Sequence, residues 1–224
     1  AEEQGAQAVL IELDTPGGLL DSTREIIQAM LNSKLAIIVY TAPHGARATS
    51  AGAFIMMAAD VAAMAPDTHI GASHPVAIGG MPKLPEPGKD EAGKKKDAGK
   101  KPSSSDVMEE KAVSDAAAYI RTLAAERGRN AQWAEKAVRE RVSLTAKEAL
   151  AQKVVDLVAE DRQELFRLQD GRTFIKNGKS ITLKLQPASV VEFEMGAFQK
   201  ILHILANPNL AYILLMIGLY GLIY

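Results

Sequence analysis

The sequence predicts an α/β domain with parallel strand pairing. Short apolar runs typical of buried strands alternate with segments whose apolar residues recur at helical spacing. The chain has 224 residues, enough for one domain with appendages, and 47% of them are hydrophobic, which excludes a chain disordered throughout. Because it lacks cysteine, it holds no disulfide framework, thiolate metal site or cysteine nucleophile. A net charge of −1 gives no reason to expect nucleic acid as a partner.

The first third of the chain carries most of this alternation. A buried strand over residues 7–13 leads into a tight turn at 14–18, because the apolar run ends in Asp-Thr-Pro-Gly-Gly. The elements expected after it are a helix over 19–32, a strand over 36–40, a small-residue loop over 43–49, a helix over 50–59, a strand over 61–64 and a loop around Ile70. Strands that alternate with helices in this way favour a parallel sheet.

Residues 79–105 differ in kind, since they are rich in proline, lysine and serine and hold almost nothing apolar. This composition predicts a disordered charged insertion. A basic tether for anionic lipid is the alternative, although acidic residues are interspersed with the lysines. The elements expected after it are helices over 106–127, 131–140 and 145–151, a strand over 154–158, and a small β-hairpin with its turn at 177–178, followed by an extended run over 190–194.

Both ends of the chain look cut. The first residues carry neither a start methionine nor a signal peptide, and a strand begins almost at once, so we expect a fragment or a processed form. Residues 210–224 carry no charge but fall short of the roughly 20 residues that span a bilayer, which predicts a truncated transmembrane helix. A buried C-terminal helix is the alternative. Residues 197–206 have apolar positions at helical spacing, typical of a helix at the membrane interface.

The diglycine at Gly17 and Gly18 directly follows the first predicted strand. Glycine lets the main chain turn sharply and bring bare N–H groups close to a ligand. Such donors are what an oxyanion hole needs in acyl transfer. A simple turn is the alternative, and a phosphate cradle is disfavoured because no phosphate-binding glycine motif is present.

Ser50 lies where a small-residue loop passes into a predicted helix. A hydroxyl there is close to the free N–H groups of the helix, which favour developing negative charge. The residues around it are small and leave room for a substrate backbone. Ser50 is therefore a candidate nucleophile, with simple capping of the helix as the alternative.

A serine nucleophile needs a base, and the spacing of the four histidines gives no support for a Ser-His-Asp triad. The other route is a lysine whose amine is kept neutral by burial or by its neighbours. Lys111 is the candidate, because it lies near the N-terminal end of a predicted helix, where a protonated lysine is disfavoured. An ordinary surface lysine paired with Asp115, four residues on, is the alternative.

Several motifs in order carry a family resemblance. They are LDTPGG at 13–18, GARATSAGAFI at 45–55, MAPDTHIGASHPV at 64–76 and the lysine-bearing stretch 111–130. Together they resemble the N-terminal peptidase region of long-form NfeD membrane proteins, which are Ser-Lys proteases related to the Clp protease and signal peptide peptidase A superfamily. Residues 207–215 resemble the first membrane span of that family. The resemblance covers nearly the whole chain and implies a Clp/crotonase-like superhelix of repeated β-β-α units.

Carried over by position, the resemblance implies Ser50 as nucleophile and Lys111 as general base. It also implies that the backbone N–H groups of Gly18 and Ala51 form the oxyanion hole, and it implies no metal or cofactor. The implied function is membrane-anchored cleavage of hydrophobic segments of membrane-associated proteins, with a stomatin-type partner. Self-association, at least as dimers, and a catalytic domain on the extracytoplasmic face are also implied.

The expected organisation is therefore a peptidase domain over 1–160, a small β appendage over 161–196, and an interfacial helix with the start of a membrane span over 197–224. Two other functions stay open. Crotonase-type acyl-CoA enzymes share the fold but usually act with glutamates and need no serine nucleophile. A non-catalytic membrane assembly module that partners stomatin-like proteins is the second alternative.

Overall fold

The computed structural model describes residues 5–75, 104–187, 189–193, 196–205 and 208–223. The charged insertion predicted over 79–105 lies outside these residues, except for its last two positions, which begin a helix. In chain order the elements are β1 (Ala8–Leu13), α1 (Leu20–Asn32), β2 (Ala36–Thr41), β3 (Arg47–Thr49), α2 (Ala51–Ala58), β4 (Val61–Met64), β5 (His69–Gly71), α3 (Ser104–Glu126), α4 (Ala131–Arg139), β6 (Ser143–Thr145), α5 (Ala146–Ala151), β7 (Leu157–Val158), α6 (Arg162–Gln169), β8 (Thr173–Lys176), β9 (Lys179–Thr182), α7 (Ala197–Leu205) and α8 (Pro208–Ile223).

A four-stranded parallel sheet in the order β1-β2-β4-β7 confirms the predicted α/β class. All residues of β2 and β4 are buried, as expected of parallel strands covered on both faces. A second sheet has the order β3-β5-β6, with β3 and β5 parallel. Thr15, just beyond β1, forms a parallel bridge to Ala48 of β3. The chain therefore brings the turn after β1 next to the end of β3, where Ser50 follows.

The prediction of loops over 43–49 and around Ile70 was wrong in part, because these segments contain β3 and β5. Each of these strands has three residues, too few for alternation to be seen in the sequence, and they exist because they pair with one another. Helix α6 was also missed. The expected strand over 154–158 is reduced to Leu157–Val158, and the described residues 190–193 form no strand.

The chain divides into two compact units, Ala1–Pro187 and Ala188–Tyr224. The β8–β9 hairpin belongs to the first unit because Lys176 is buried against the sheet. Its Nζ donates to the carbonyls of Met30 at 3.1 Å and Leu35 at 2.8 Å and pairs with Asp60. The second carboxylate oxygen of Asp60 pairs with Arg127 at 2.7 Å. A buried charge is costly unless it is paired in this way, so detaching the hairpin would leave the Asp60 carboxylate without its lysine partner.

The second unit contains α7 and α8, whose described apolar side chains are largely exposed. Within the described residues, no helix has both the length and the apolar character needed to cross a membrane. The predicted membrane-spanning helix is therefore not confirmed.

Tyr40 of β2 offers a test of the core. Its side chain is 2% exposed and its hydroxyl donates to the Ala159 carbonyl at 2.7 Å. Burial, with a smaller effect of nearby carboxylates led by Asp161, raises the pKa of Tyr40 to about 12. Since the unfolded chain ionises this group near pH 10, the folded state loses stability as the pH rises from about 10 to 12.

Tyr40→Phe is expected to lower the free energy of unfolding at pH 7 by about 1 kcal/mol, the typical contribution of one hydrogen bond. It should also flatten the decline of stability between about pH 10 and 12. Urea unfolding of both proteins across this range measures the two effects. An equally steep alkaline decline in the variant would exclude Tyr40 as its source.

Candidate active site

Ser50 occupies a strained turn between β3 and α2. Its backbone has φ 53° and ψ −115°, a conformation that residues other than glycine seldom adopt. Its N–H donates to the Gly71 carbonyl at 3.0 Å, and its own carbonyl accepts from Ala53 at 3.1 Å. In the described part of the chain, the Ser50 side chain makes no capping bond to α2. The capping alternative is therefore wrong, and backbone strain of this kind is typical of functional sites.

Two glycines allow the turn at residues 14–18 to pack against Ser50. A Cβ atom at Gly17 would lie 2.7 Å from the Cβ of Ser50, and one at Gly52 would lie 2.8 Å from Cγ2 of Thr15. The main chain of Thr15 makes two hydrogen bonds to β3. Its N–H donates to the Arg47 carbonyl at 2.8 Å, and its carbonyl accepts from the Thr49 N–H at 3.2 Å. The approach of the two segments thus depends on glycine at these positions.

Ser50 opens into a pocket of about 220 Å³. Its lining residues are Gly18, Leu19, Leu20, Thr23, Ser50, Ala51, Phe54, Ser73, Pro75 and Ala116. The N–H groups of Gly18 and Ala51 have no hydrogen-bond acceptor among the residues that the structure describes. A half-buried hydroxyl with two unpaired amides in a mostly apolar pocket has the parts needed to attack a carbonyl and to bind the oxyanion that forms.

Lys111 lies outside this pocket. It is exposed on the second turn of α3, so the apolar surroundings expected for it are absent from the described structure. Ala116 of the same helix lines the pocket, and five residues of helix correspond to about 7.5 Å along the axis. Asp115, the partner expected if Lys111 were an ordinary surface lysine, is instead paired with Arg24 of α1. The structure thus brings together Gly18, Ser50 and Ala51, and places the lysine on the helix beside them.

Sequence reasoning missed several residues that line the pocket, above all Ser73. This side chain is 2% exposed, and its hydroxyl donates to the Gly71 carbonyl at a long 3.3 Å. The same carbonyl accepts the Ser50 N–H, so Gly71 links the two serines. The motif at residues 70–72 was the available signal, but only the pairing of β3 with β5 brings it to Ser50.

Among the described residues no histidine lines the pocket. His74 is held in its loop by a bond from Nδ1 to the Val138 carbonyl at 2.9 Å, and its Nε2 lies 3.7 Å from Oε1 of Glu109 on α3. His44 is near Asp67 and Glu160 on the surface. Over the described ranges, His, Asp and Glu side chains form no group of three or more placed to hold a metal ion.

Known proteins resemble this chain along its whole length. The family model described as "NfeD1b, N-terminal domain" matches residues 1–82. One similar solved structure is that of the 1510-N membrane-bound stomatin-specific protease, as a lysine-to-alanine mutant in complex with a substrate peptide. Its sequence is 34% identical to this chain, and the TM-score is 0.72. The match covers 90% of this chain and 84% of the chain in that structure. This chain belongs to the NfeD N-terminal protease family.

Two further comparisons agree with membership of the NfeD family. The structure of a serine-to-alanine mutant of the same 1510-N protease has 35% sequence identity to this chain and a TM-score of 0.71. The match covers 87% of this chain and 86% of the chain in that structure. The membrane-bound protease PH1510 of Pyrococcus horikoshii is 36% identical over 225 residues, which are 100% of this chain and 46% of the relative. The chain therefore spans about half the length of this curated NfeD relative.

Proposed function

We propose that this chain is the peptidase region of a membrane-anchored serine endopeptidase that cleaves hydrophobic segments of stomatin-type proteins. One observation supports this best: the strained, half-buried Ser50 has no capping bond in the described structure and stands beside two unpaired amides. Its relatives are named membrane-bound and stomatin-specific proteases, and solved structures of one include a serine mutant and a lysine mutant.

In the proposed reaction, Ser50 Oγ attacks a peptide carbonyl while the neutral amine of Lys111 takes the hydroxyl proton. The N–H groups of Gly18 and Ala51 donate to the oxyanion that forms. Lys111 then gives the proton to the leaving amine, and an acyl group stays on Ser50. A water molecule, deprotonated by Lys111, hydrolyses this ester and restores the hydroxyl.

The proposed base must reach Ser50 from an exposed position on α3. A lysine carries its amine on a flexible four-carbon stem, and α3 already lines the pocket through Ala116. Catalytic contacts are often long in a free enzyme and tighten when substrate binds. We propose that the Lys111 amine reaches Ser50 in its neutral form when substrate fills the pocket, because the apolar walls disfavour the charged amine.

The pocket favours an apolar substrate side chain. Leu19, Leu20 and Phe54 supply its apolar surface, and Ala51 and Ala116 leave space within it. Burial of an apolar side chain there would contribute about 1.5–3 kcal/mol to binding. A hydrophobic segment of a stomatin-type protein fits this lining.

Further parts of the proposal concern the whole protein. We propose a Clp/crotonase-like superhelix for the first unit, supported by the parallel β1-β2-β4 order, and dimers or larger homo-oligomers. The apolar helix α8 is proposed as the start of a membrane span, with α7 at the interface. An extracytoplasmic position of the catalytic domain rests on the family resemblance alone.

Labelling with a fluorophosphonate tests the function directly. We expect the probe to modify the peptide that contains Ser50, and a hydrophobic stomatin-derived peptide to slow the modification while being cleaved. Mass spectrometry locates the adduct. Equal labelling of wild type and Ser50→Ala would remove Ser50 as nucleophile. If coenzyme A slowed the labelling and the peptide did not, the result would favour an acyl-CoA enzyme.

A further inference from the structure

Lys111 has one oppositely charged neighbour at helical contact distance, Asp115, four residues on along α3. Such a carboxylate favours the protonated amine and so opposes the use of Lys111 as a base. The structure removes this conflict, because the Asp115 carboxylate is bonded to the Arg24 guanidinium of α1.

Arg24 is fixed from a second side as well. Its guanidinium carbon lies 5.6 Å from the ring centroid of Tyr119, one helical turn beyond Asp115. The Tyr119 ring in turn contacts Phe54, which lines the pocket, with 6.0 Å between the ring centroids. A cation over an aromatic ring is attracted to it, so both contacts hold Arg24 against α3.

The other charged groups near this part of α3 have partners elsewhere or lie beyond the contact positions. Among the described side chains, Glu109 is near His74 of the loop after β5, and Glu110 is adjacent to Lys111 in sequence. Glu135 of α4 is bonded to Arg121 and Arg139. Helix α2 has no charged residue. Among the carboxylates of α3, Asp115 is the one at the i,i+4 position from Lys111.

We propose that Arg24 is a positioning residue of the peptidase, which engages Asp115 and so keeps Lys111 free of a carboxylate partner. This inference rests on the proposed function, in which Lys111 is the general base. Arg24 acts through Asp115, because it neutralises the carboxylate that would otherwise favour the protonated lysine.

Amine acylation tests this without requiring peptidase activity. Acetic anhydride reacts with the neutral amine, so its rate at Lys111, followed by peptide mass spectrometry at pH 8, reports the neutral fraction. In Arg24→Gln we expect this rate to fall about threefold, because Asp115 is released to pair with Lys111. Arg24→Lys should stay near wild type, since it keeps the charge that engages Asp115.

The double variant Arg24→Gln/Asp115→Asn should react like Asp115→Asn alone, because no carboxylate is left to pair with Lys111. Arg121→Gln, which removes an arginine of α3 whose partner is Glu135, is the matched control and should leave the rate unchanged. An unchanged rate in Arg24→Gln, or an equal fall in the double variant, would overturn the inference.

The pH dependence of cleavage gives a second readout. The pH at which kcat/KM reaches half its plateau should rise by about half a unit in Arg24→Gln, which corresponds to threefold, and return in the double variant. If Ser50→Ala cleaves as well as wild type, the proposed function fails, whereas the acylation rates still decide whether Arg24 governs Lys111.

Discussion

Replacing Ser50 by alanine is expected to lower kcat/KM for a hydrophobic stomatin-type peptide by about a thousandfold or more. Alanine removes the atom that forms the acyl-enzyme, while the pocket and its two amide donors stay in place. Lys111→Ala should have an effect of similar size, since the serine hydroxyl then has no base. The double variant should be no slower than either single variant, because nucleophile and base act as a unit. Steady-state cleavage of a fluorogenic peptide measures all three.

Matched controls separate chemistry from folding. Ser180→Ala on β9 and Lys147→Ala on α5 change the same residue types at exposed positions. Both should retain wild-type turnover, and circular dichroism should show all variants folded. Wild-type turnover in Ser50→Ala would contradict the peptidase proposal. Wild-type turnover in Lys111→Ala would show that another group is the general base.

Gly71→Ala is expected to lower the free energy of unfolding by about 4 kcal/mol, from backbone strain and overpacking together. The glycine has φ +140°, and a Cβ atom there would lie 2.3 Å from the Val142 carbonyl oxygen and 2.6 Å from Ser143 Cα. These are backbone atoms of the segment that pairs with β5, so they cannot rotate away. Urea unfolding measures the loss.

The same substitution should also reduce cleavage, because the Gly71 carbonyl accepts the Ser50 N–H and a shift of β5 moves the nucleophile. Gly128→Ala is the matched control. It too has positive φ, at +66°, but a Cβ atom there meets nothing within 4 Å in the described structure. It should cost only about 1 kcal/mol and leave kcat unchanged. Similar losses in the two variants would show that strain, and not collision, dominates at Gly71.

Long periodic or uniformly apolar segments were predictable because their own residues carry the signal. Strands β1, β2 and β4 and helices α1, α2, α3 and α4 were found close to their observed ends. Strands β3 and β5 were not, because each has three residues and is stabilised by pairing with a segment distant in sequence. The contact between Lys176 of the β8–β9 hairpin and Asp60 was not predicted for a similar reason, since the two residues are far apart in sequence.

The motifs at residues 13–18 and 45–55 were sufficient to mark Ser50 and the glycines around it, because a helix start with small neighbours is a local property of the chain. Local sequence could not decide between nucleophile and cap, since serine suits both. In the described structure the Ser50 side chain makes no capping bond, and its N–H is bonded to the Gly71 carbonyl, a contact that local sequence does not reveal.

The sequence by itself therefore determined the α/β class, the family and the candidate residues, because periodicity and motifs involve residues that are close together in the chain. Only the tertiary structure decided which of these residues meet. It joined Gly18, Ser50, Ala51 and the unforeseen Ser73 around one pocket, and it paired Asp115 with Arg24. Such contacts depend on side chains far apart in the chain, and a linear pattern carries no information about their distance.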